Sequence, residues 1–257
     1  MERKARKLNI KNILVSQPQP ADFAKSPYSD LAKKYNLDID FHKFIKIEEV
    51  PSKEFRQQKV NMLDHTAVIF TSRNAVDHFF RMAKELRLEI PDAMKYFCIS
   101  EATAFYLQKY VQYRKRKIFY GKQNFAQLVD IIKKHKDEKY LLPCSDIHKA
   151  SLSKLLEENK IVYSKAIMYK TVAANLSRVK INSYDMLIFF SPSGITSLFK
   201  NFPKYKQGET LIAAFGPTTS KAVKDSGLQL NIKAPTKTAP SMTMAIDEYI
   251  QKESKKK

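Results

Sequence analysis

The same strand, turn and helix pattern occurs twice in the sequence. An apolar run, a short turn rich in hydroxyl groups and a more widely spaced apolar pattern follow one another in residues 186–199, and again in residues 68–80. This pattern is typical of a buried strand that leads directly into a helix. Each copy is followed by a second matching segment, 215–220 and 99–104 respectively, at nearly the same spacing. Two matches in the same order indicate a duplicated unit.

Strand-like and helix-like segments alternate along the rest of the chain, which favours an α/β fold with parallel sheets. The pattern predicts a last strand at 228–232, with Gly227 ending the helix before it. Apolar periodicity also predicts helices at 53–62, 75–86, 103–110, 195–201 and 219–225.

The order of the copies predicts one domain inserted in another. Residues 13–16 find their best match in residues 140–143, which follow the inner copy of the repeat. An outer domain would therefore be built from both ends of the chain. We assign residues 1–40 and 173–257 to this outer lobe, 46–166 to the inner lobe, and 41–45 and 167–172 to two connectors. Paired connectors would form a hinge, and a cleft between lobes is a common ligand site.

Composition limits the class of protein. A chain of 257 residues with 44% hydrophobic residues can build two domains, and no apolar run is long enough to predict a membrane span. The basic stretch 1–11 lacks the apolar core of a signal peptide. Two cysteines and scattered histidines predict neither disulfides nor a metal site, which suits the cytoplasm.

The net charge of +20 is compatible with an anionic partner, although a solvated basic surface is the more usual explanation of such charge. The densest basic run is 114–117. With 5 glycines and no glycine-rich phosphate motif, the chain is not predicted to bind nucleotides. Aromatic residues do not form a recognisable RNA-binding motif, which counts against nucleic acid.

Hydroxyl-rich turns follow the predicted strands, at the sheet edge where open parallel sheets bind ligands. Hydroxyls and free backbone N–H groups there would suit carboxylates or phosphates. Helix capping alone selects the same residue types, so that explanation stays open. The candidate binding residues are Ser16, Gln17, Thr71, Ser72, Asn74, Ser100, Thr103, Ser191, Ser193, Gly194, Thr218 and Thr219.

Two further side chains are candidates for chemistry. Tyr169 lies on the second predicted connector, where its hydroxyl could face the cleft, although packing within a sheet is an equal alternative. Cys144 could be a nucleophile, but no histidine stands in a supporting motif, so a structural thiol is the better interpretation.

Taken in order, segments 68–76, 168–171, 190–195 and 215–222 resemble the uroporphyrinogen-III synthase family, as does the opening 13–18. The resemblance covers essentially the whole chain. It implies two flavodoxin-like lobes with parallel sheets, joined by a two-stranded connector, with the first lobe discontinuous.

The resemblance also implies an activity, the cyclisation of hydroxymethylbilane, a linear tetrapyrrole that carries eight carboxylates. Its terminal hydroxyl leaves as water, ring D inverts through a spiro intermediate, and the macrocycle closes as uroporphyrinogen III. Tyr169 matches the family's tyrosine proposed to assist departure of the hydroxyl. The implied enzyme is a cytoplasmic monomer of tetrapyrrole and haem biosynthesis that uses no cofactor and no metal, and has no membrane or nucleic-acid partner.

Two departures from the family pattern support a second hypothesis. Ser100 stands where the family usually has glycine, and residues 144–146 stand where it has an Arg-Gly-like turn. Together with the basic charge, they make a non-catalytic relative that binds an anionic partner such as RNA the alternative.

Overall fold

A computed structural model describes residues 10–122, 124–147 and 150–255. The chain folds as two units. The first combines the chain up to Lys46 with the chain from Val172 onward, and the second is Ile47–Thr171. Residues 1–9 of the basic N-terminal stretch lie outside the described residues.

Strands and helices alternate through most of the described chain. The strands are β1 (Asn12–Val15), β2 (Asp38–Phe41), β3 (Ile45–Glu49), β4 (Ala67–Phe70), β5 (Lys95–Cys98), β6 (Ile118–Tyr120), β7 (Tyr140–Ser145), β8 (Tyr163–Ala173), β9 (Met186–Phe189), β10 (Leu211–Phe215) and β11 (Ile232–Ala234). The helices are α1 (Pro27–Tyr35), α2 (Ser52–Gln57), α3 (Arg73–Glu85), α4 (Glu101–Leu107), α5 (Phe125–Ile132), α6 (Ala150–Glu158), α7 (Pro192–Asn201), α8 (Pro217–Asp225) and α9 (Met242–Ser254). Within the described residues, no helix combines the length and the apolarity that crossing a membrane requires.

The first unit is built on a parallel sheet in the order β11–β10–β9–β1–β2. Successive side chains of a strand point to opposite faces of the sheet. Ile13 therefore packs on one face with Leu31 of α1 and Ile246 of α9. Leu14 packs on the other face with Ile195 of α7. Both faces are covered, which explains the uninterrupted apolar strands.

The second unit has the sheet order β3–β8–β7–β4–β5–β6, and the pairs from β8 to β6 are parallel. Helices again cover both faces. Val68 of β4 packs with Phe79 of α3, and the next residue, Ile69, packs on the opposite face with Leu128 of α5.

Five strands of the second sheet repeat the strand order of the first sheet, and β3 is an additional edge strand. In the first unit, β1 lies between β2 and β9; in the second, β7 lies between β8 and β4. Counted from β1, the first sheet has the flavodoxin order 2-1-3-4-5. If the count in the second sheet starts at β7 and returns to β4 after β8, the order is again 2-1-3-4-5. The second sheet is therefore a circular permutation of the first. The predicted α/β fold with two parallel, flavodoxin-like sheets is thus confirmed.

The boundary after Lys46 falls within β3, and the boundary after Thr171 falls within β8. The two strands pair in antiparallel directions. The backbone N–H of Ala174 donates to the Phe44 carbonyl at 2.9 Å, and the N–H of Val50 donates to the Met168 carbonyl at 3.1 Å. Residue numbers increase along β3 as those of its partners on β8 decrease, which is the pattern of antiparallel strands.

Two predicted elements were wrong. The helix expected at 53–62 ends at Gln57, since Lys59 has the left-handed φ of 55° and the Gln58 side chain bonds both backbone groups of Ile167. The strand expected at 228–232 starts only at Ile232. Just before it, the Asn231 side chain accepts the Ile212 N–H at 2.8 Å, a bond that a strand would make with its backbone.

Four predicted helices also begin earlier than expected. The starts predicted at 75, 103, 195 and 219 lie at Arg73, Glu101, Pro192 and Pro217. Apolar periodicity marks only the buried positions of a helix, whereas its first turn is polar and exposed.

We expect the core of the second unit to be sensitive to loss of an aromatic ring. Phe97 of β5 is fully buried and packs against the rings of Phe119 and Tyr140. Phe97→Ala should lower the free energy of unfolding by about 3–5 kcal/mol, because it leaves a cavity. Phe105→Ala, at a site 72% exposed in the same unit, is the matched control and should change it by less than about 0.5 kcal/mol. Urea denaturation measures both, and equal losses would contradict the described packing.

Candidate active site

Serine side chains cap the helices that follow β4 and β5. The Oγ of Ser72 accepts the Ala75 N–H at 3.1 Å, and the Oγ of Ser100 accepts the Thr103 N–H at 3.3 Å. Both serines have extended backbones directly before a helix, as a capping residue must. Because the strands are parallel, these turns lie at one edge of the sheet, the edge formed by the carboxyl ends of the strands.

Three of the predicted site residues meet at a cavity in the second unit. Thr71, Ser72 and Tyr169 line a cavity of about 240 Å³. Its other lining residues, which come from β7, from the chain after it and from α5 and α6, are Leu142, Cys144, Ser145, Ile147, Phe125 and Leu152. Apolar walls and a few hydroxyls are the usual lining of a small-molecule site.

The other predicted residues of this unit do not line the cavity. Asn74 is exposed in the first turn of α3. Ser100 and Thr103 are buried, and their hydroxyl oxygens lie 3.1 Å apart. For these two, capping and internal pairing account for the side chains.

Tyr169 is held on β8 with its hydroxyl at the cavity. The ring is 7% exposed, and the hydroxyl lies 3.4 Å from the Oγ of Ser72. The imidazole of His78 stacks on the phenol, with ring centroids 4.9 Å apart and planes inclined by 19°. Burial raises the pKa of Tyr169 more than the hydrogen bond between its hydroxyl and Ser72 lowers it. The phenol therefore remains protonated at neutral pH and can donate a hydrogen bond.

Cys144 also lines the cavity, but its environment disfavours the thiolate. Burial raises its pKa to about 11, although the positive charge of Lys165 acts in the opposite direction. Cys98 in β5 is buried as well, and its pKa is raised to about 12. A thiol with such a pKa is protonated at neutral pH and is a weak nucleophile.

Hydrogen bonds of Asp146 connect the end of β7 to β8 beside Tyr169. Its Oδ1 accepts the N–H groups of Thr171 and Ile147, both at 2.9 Å, and the Ser145 hydroxyl at 2.7 Å. Its own N–H donates to the Tyr169 carbonyl at 3.2 Å. Burial disfavours the carboxylate, yet these hydrogen bonds and the positive charge of Lys170 outweigh it, and the pKa of Asp146 is lowered.

In the first unit, a second group of predicted residues meets at the ends of β1 and β9. The Oγ of Ser191 accepts the Gly194 N–H at 3.3 Å and caps α7. A methyl group added at Gly194 would lie 3.7 Å from the Oγ of Ser16 and 3.3 Å from the Phe189 ring. The hydroxyls of Ser16 and Ser191 therefore lie close to a position at which a side chain would crowd the Phe189 ring.

The remaining predicted residues of this unit differ in exposure. Gln17 and Thr218 are exposed, Ser193 is half-buried, and Thr219 is 1% exposed inside the first turn of α8. That helix has no side-chain cap; it starts after Gly216, whose φ of 87° favours glycine.

Sequence reasoning missed His78 and Arg81, which contact Tyr169 or its neighbours. They lie three residues apart on α3, at a spacing that places side chains on one face of a helix. Their spacing within the helix that Ser72 caps was the sequence signal that they share one face. By itself it does not indicate which strand the face meets.

The basic run 114–117 lies in a different part of the second unit. Arg114 and Lys117 line a cavity of about 770 Å³ together with Asp77, Tyr96 and Tyr110. The guanidinium of Arg114 lies 3.9 Å from the Asp92 carboxylate, and Lys117 donates to the Asp92 carbonyl. No predicted site residue lines this cavity.

Ionisable groups of the metal-binding kind are dispersed. Among residues 10–122, 124–147 and 150–255, no three His, Cys, Asp or Glu side chains are placed to hold a metal ion.

Comparisons with known proteins agree with this architecture. The sequence model of the family described as "Uroporphyrinogen-III synthase HemD" matches residues 26–244. A uroporphyrinogen-III synthase of Schizosaccharomyces pombe is 23% identical over 260 residues, which cover 94% of this chain and 98% of that protein.

Solved structures show the same fold. A uroporphyrinogen-III synthetase from Helicobacter pylori has a TM-score of 0.58 at 17% identity, covering 94% of this chain and 99% of that one. A mutant uroporphyrinogen III synthase from Thermus thermophilus has a TM-score of 0.54 at 16% identity, with 94% and 99% covered.

The raised cysteine pKa values predict slow alkylation of the folded protein. At pH 8, iodoacetamide should modify Cys98 and Cys144 at least about tenfold more slowly than a free cysteine, since little thiolate is present. In urea both should react fully, which is the internal control. Mass spectrometry after timed quenching measures the two sites separately, and fast modification of Cys144 would contradict its buried, protonated state.

Proposed function

The chain belongs to the uroporphyrinogen-III synthase family, and from that membership we propose that it cyclises hydroxymethylbilane with Tyr169 at the reacting end of the substrate. It is an enzyme of tetrapyrrole biosynthesis, a cyclising lyase. The observation that carries the proposal is the protonated Tyr169 hydroxyl at the cavity beside Ser72.

Loss of the substrate hydroxyl is the step that needs a hydrogen-bond donor. The carbon–oxygen bond breaks as the pyrrole nitrogen gives up its proton, leaving an azafulvene, and the departing oxygen takes up a proton to become water. The Tyr169 phenol can hydrogen-bond to that oxygen as negative charge develops on it, and such a bond is stronger in the transition state than before it. Because its pKa is raised, the phenol is available as a donor throughout the neutral range.

The serine turns supply groups that suit carboxylates. A capping serine accepts an N–H bond with its oxygen, so its own O–H remains free to donate. Each capped turn also begins a helix, where the partial positive charge favours anions. We propose that Thr71 and Ser72 in the second unit, and Ser16 and Ser191 in the first, bind substrate carboxylates. The further candidates are Gln17, Asn74, Ser100, Thr103, Ser193, Gly194, Thr218 and Thr219.

The apolar walls of the cavity beside Tyr169 suit the ring of a pyrrole. Phe125, Leu142 and Leu152 provide these walls, and the hydroxyls of Thr71 and Ser72 provide the polar side. Exclusion of water by the walls would strengthen each hydrogen bond to the reacting group. Positioning of this kind can supply much of the rate enhancement when the unaided reaction already proceeds but gives the wrong isomer.

We further propose that the protein acts as a monomer. Its two free, buried cysteines support a location in a reducing compartment such as the cytoplasm. A non-catalytic relative that binds RNA gains no support from the family match. The departures at Ser100 and at 144–146 are compatible with activity: Ser100 caps α4, and Asp146 ties β7 to β8.

Removing the Tyr169 hydroxyl should slow the reaction without unfolding the protein. Tyr169→Phe should lower kcat roughly tenfold to a hundredfold with little change in KM, since the lost bond acts mainly in the transition state. The assay supplies enzymatically generated hydroxymethylbilane and separates the type III and type I isomers of the product.

The matched control is Tyr163→Phe, because Tyr163 lies on the same strand but its hydroxyl donates to Glu157 at 2.9 Å. It should retain wild-type kcat. A wild-type rate for Tyr169→Phe would remove Tyr169 from the proposed mechanism. Only type I product from the unmodified protein would overturn the proposed function itself.

Aspartate at position 191 separates binding from capping. Aspartate caps helices as well as serine does, so Ser191→Asp should keep the stability of α7 while its negative charge repels substrate carboxylates. We expect KM to rise about tenfold or more, as for the loss of one charge-assisted bond. Ser241→Asp, at the cap of α9 in the same unit, should leave KM unchanged. Equal KM values for the two variants would show that Ser191 serves only as a cap.

A further inference from the structure

The ring of Tyr169 has a partner on its face as well as at its hydroxyl. His78 stacks on it at 4.9 Å between centroids, and Ser72 lies 3.4 Å from its oxygen. Both partners belong to the α3 segment, one as its cap and one in its second turn. The phenol is thus fixed in direction by one helix.

Arg81, one turn further along α3, contacts both that ring partner and the backbone beside Tyr169. Its Nε donates to the Nδ1 of His78 at 3.2 Å. Its Nη2 donates to the carbonyls of Met168 at 2.9 Å and of Val50 at 3.0 Å. Met168 directly precedes Tyr169, so these bonds determine where β8 places the phenol relative to α3.

The contact from Arg81 also determines the tautomer of His78. A guanidinium can only donate, so the Nδ1 of His78 must accept, and the ring proton lies on Nε2. Burial and repulsion by Arg81 lower the pKa of His78, outweighing the attraction of Glu49 and Asp77. A neutral imidazole therefore faces Tyr169, so this ring partner adds no positive charge that would favour ionisation of the phenol.

Arg81 is itself held in one position. Its side chain is 17% exposed, and its Nη1 pairs with Glu85 one turn later, while Glu49 lies 3.8 Å from its Nε. A planar guanidinium with several donors can satisfy His78, two carbonyls and a carboxylate together; an ammonium cannot match that geometry.

We propose that Arg81 is a positioning residue for the reaction, which acts by holding His78 and the Met168 carbonyl so that the Tyr169 phenol keeps one orientation at the cavity. The proposal rests on the function of Tyr169 proposed above. Arg81 lies outside the cavity lining, so its effect passes through Tyr169.

The test combines kinetics with nuclear magnetic resonance of ring-labelled tyrosine. Arg81→Met removes the donors while keeping much of the side-chain length. It should lower kcat about tenfold with KM little changed, as expected for a displaced catalytic group. In a Tyr169→Phe background the same substitution should cause almost no further loss, because the group it positions is gone. The matched control is Lys84→Met, which removes an exposed positive charge from the same helix and should leave kcat unchanged.

The resonance experiment reads the position of Tyr169 independently of activity. Its ring signal, identified by its loss in Tyr169→Phe, should move in Arg81→Met and stay in place in Lys84→Met. An unmoved signal, or a further tenfold loss of kcat in the double variant, would overturn the positioning role. A wild-type kcat for Tyr169→Phe would instead overturn the proposed function of Tyr169, while the signal would still report whether Arg81 positions the ring.

A pair of substitutions at position 78 tests whether His78 transmits the effect of Arg81 to Tyr169. It also covers the case in which Arg81→Met fails to fold. His78→Phe keeps an aromatic face on Tyr169 and should hold kcat within about threefold. His78→Leu removes the stacked ring and should match the loss seen in Arg81→Met. Equal activity of both variants would show that the stacking does not position Tyr169.

Discussion

The first backbone N–H groups of a helix have no partner within it, and four of the parallel strands, β4, β5, β9 and β10, lead into a helix within three residues. Ser72, Ser100 and Ser191 satisfy that requirement directly after β4, β5 and β9. Because the strands are parallel, the requirement recurs at the same edge of each sheet. Structural necessity thus places hydroxyls and helix N-termini where a polyanionic ligand can use them, and the site needs few residues of its own.

This constraint also explains why the duplication remains visible in the sequence. The capped turn tolerates few residue types, and the strand before it must be apolar on both faces. Surrounding helices need only an amphipathic pattern, so they are free to diverge. The circular permutation follows from the same sheets: β7 lies between β8 and β4 as β1 lies between β2 and β9, but β4 precedes β7 in the chain whereas β9 follows β1. The match between residues 13–16 and 140–143 reflects equal positions in two sheets, although their places in chain order differ.

The fold class and the serine turns could be predicted because they depend on local rules, namely apolar runs and capping residues. Where a side chain replaced a backbone partner, prediction failed. Gln58 pairs with Ile167 and ends α2 early, and Asn231 takes the bond that delays β11. The site shows the same division. Ser72 and Tyr169 could be identified from the sequence and meet at the cavity, whereas Arg81 contacts Met168 across 87 positions of sequence. Only the pairing of β8 with its neighbours brings those two residues together.

Three ionisable side chains at or beside the cavity, Tyr169, His78 and Cys144, share one property that fits the proposed reaction. Tyr169 is held protonated, His78 neutral, and the Cys144 thiol protonated by burial that raises its pKa to about 11. An azafulvene is an electrophile, and a thiolate lining the same cavity would compete with the terminal pyrrole for it. Burial of Cys144 suppresses that competing nucleophile, while the phenol keeps the proton that the departing hydroxyl needs. A neutral phenol beside a protonated thiol can therefore assist the loss of water without trapping the intermediate that the loss creates.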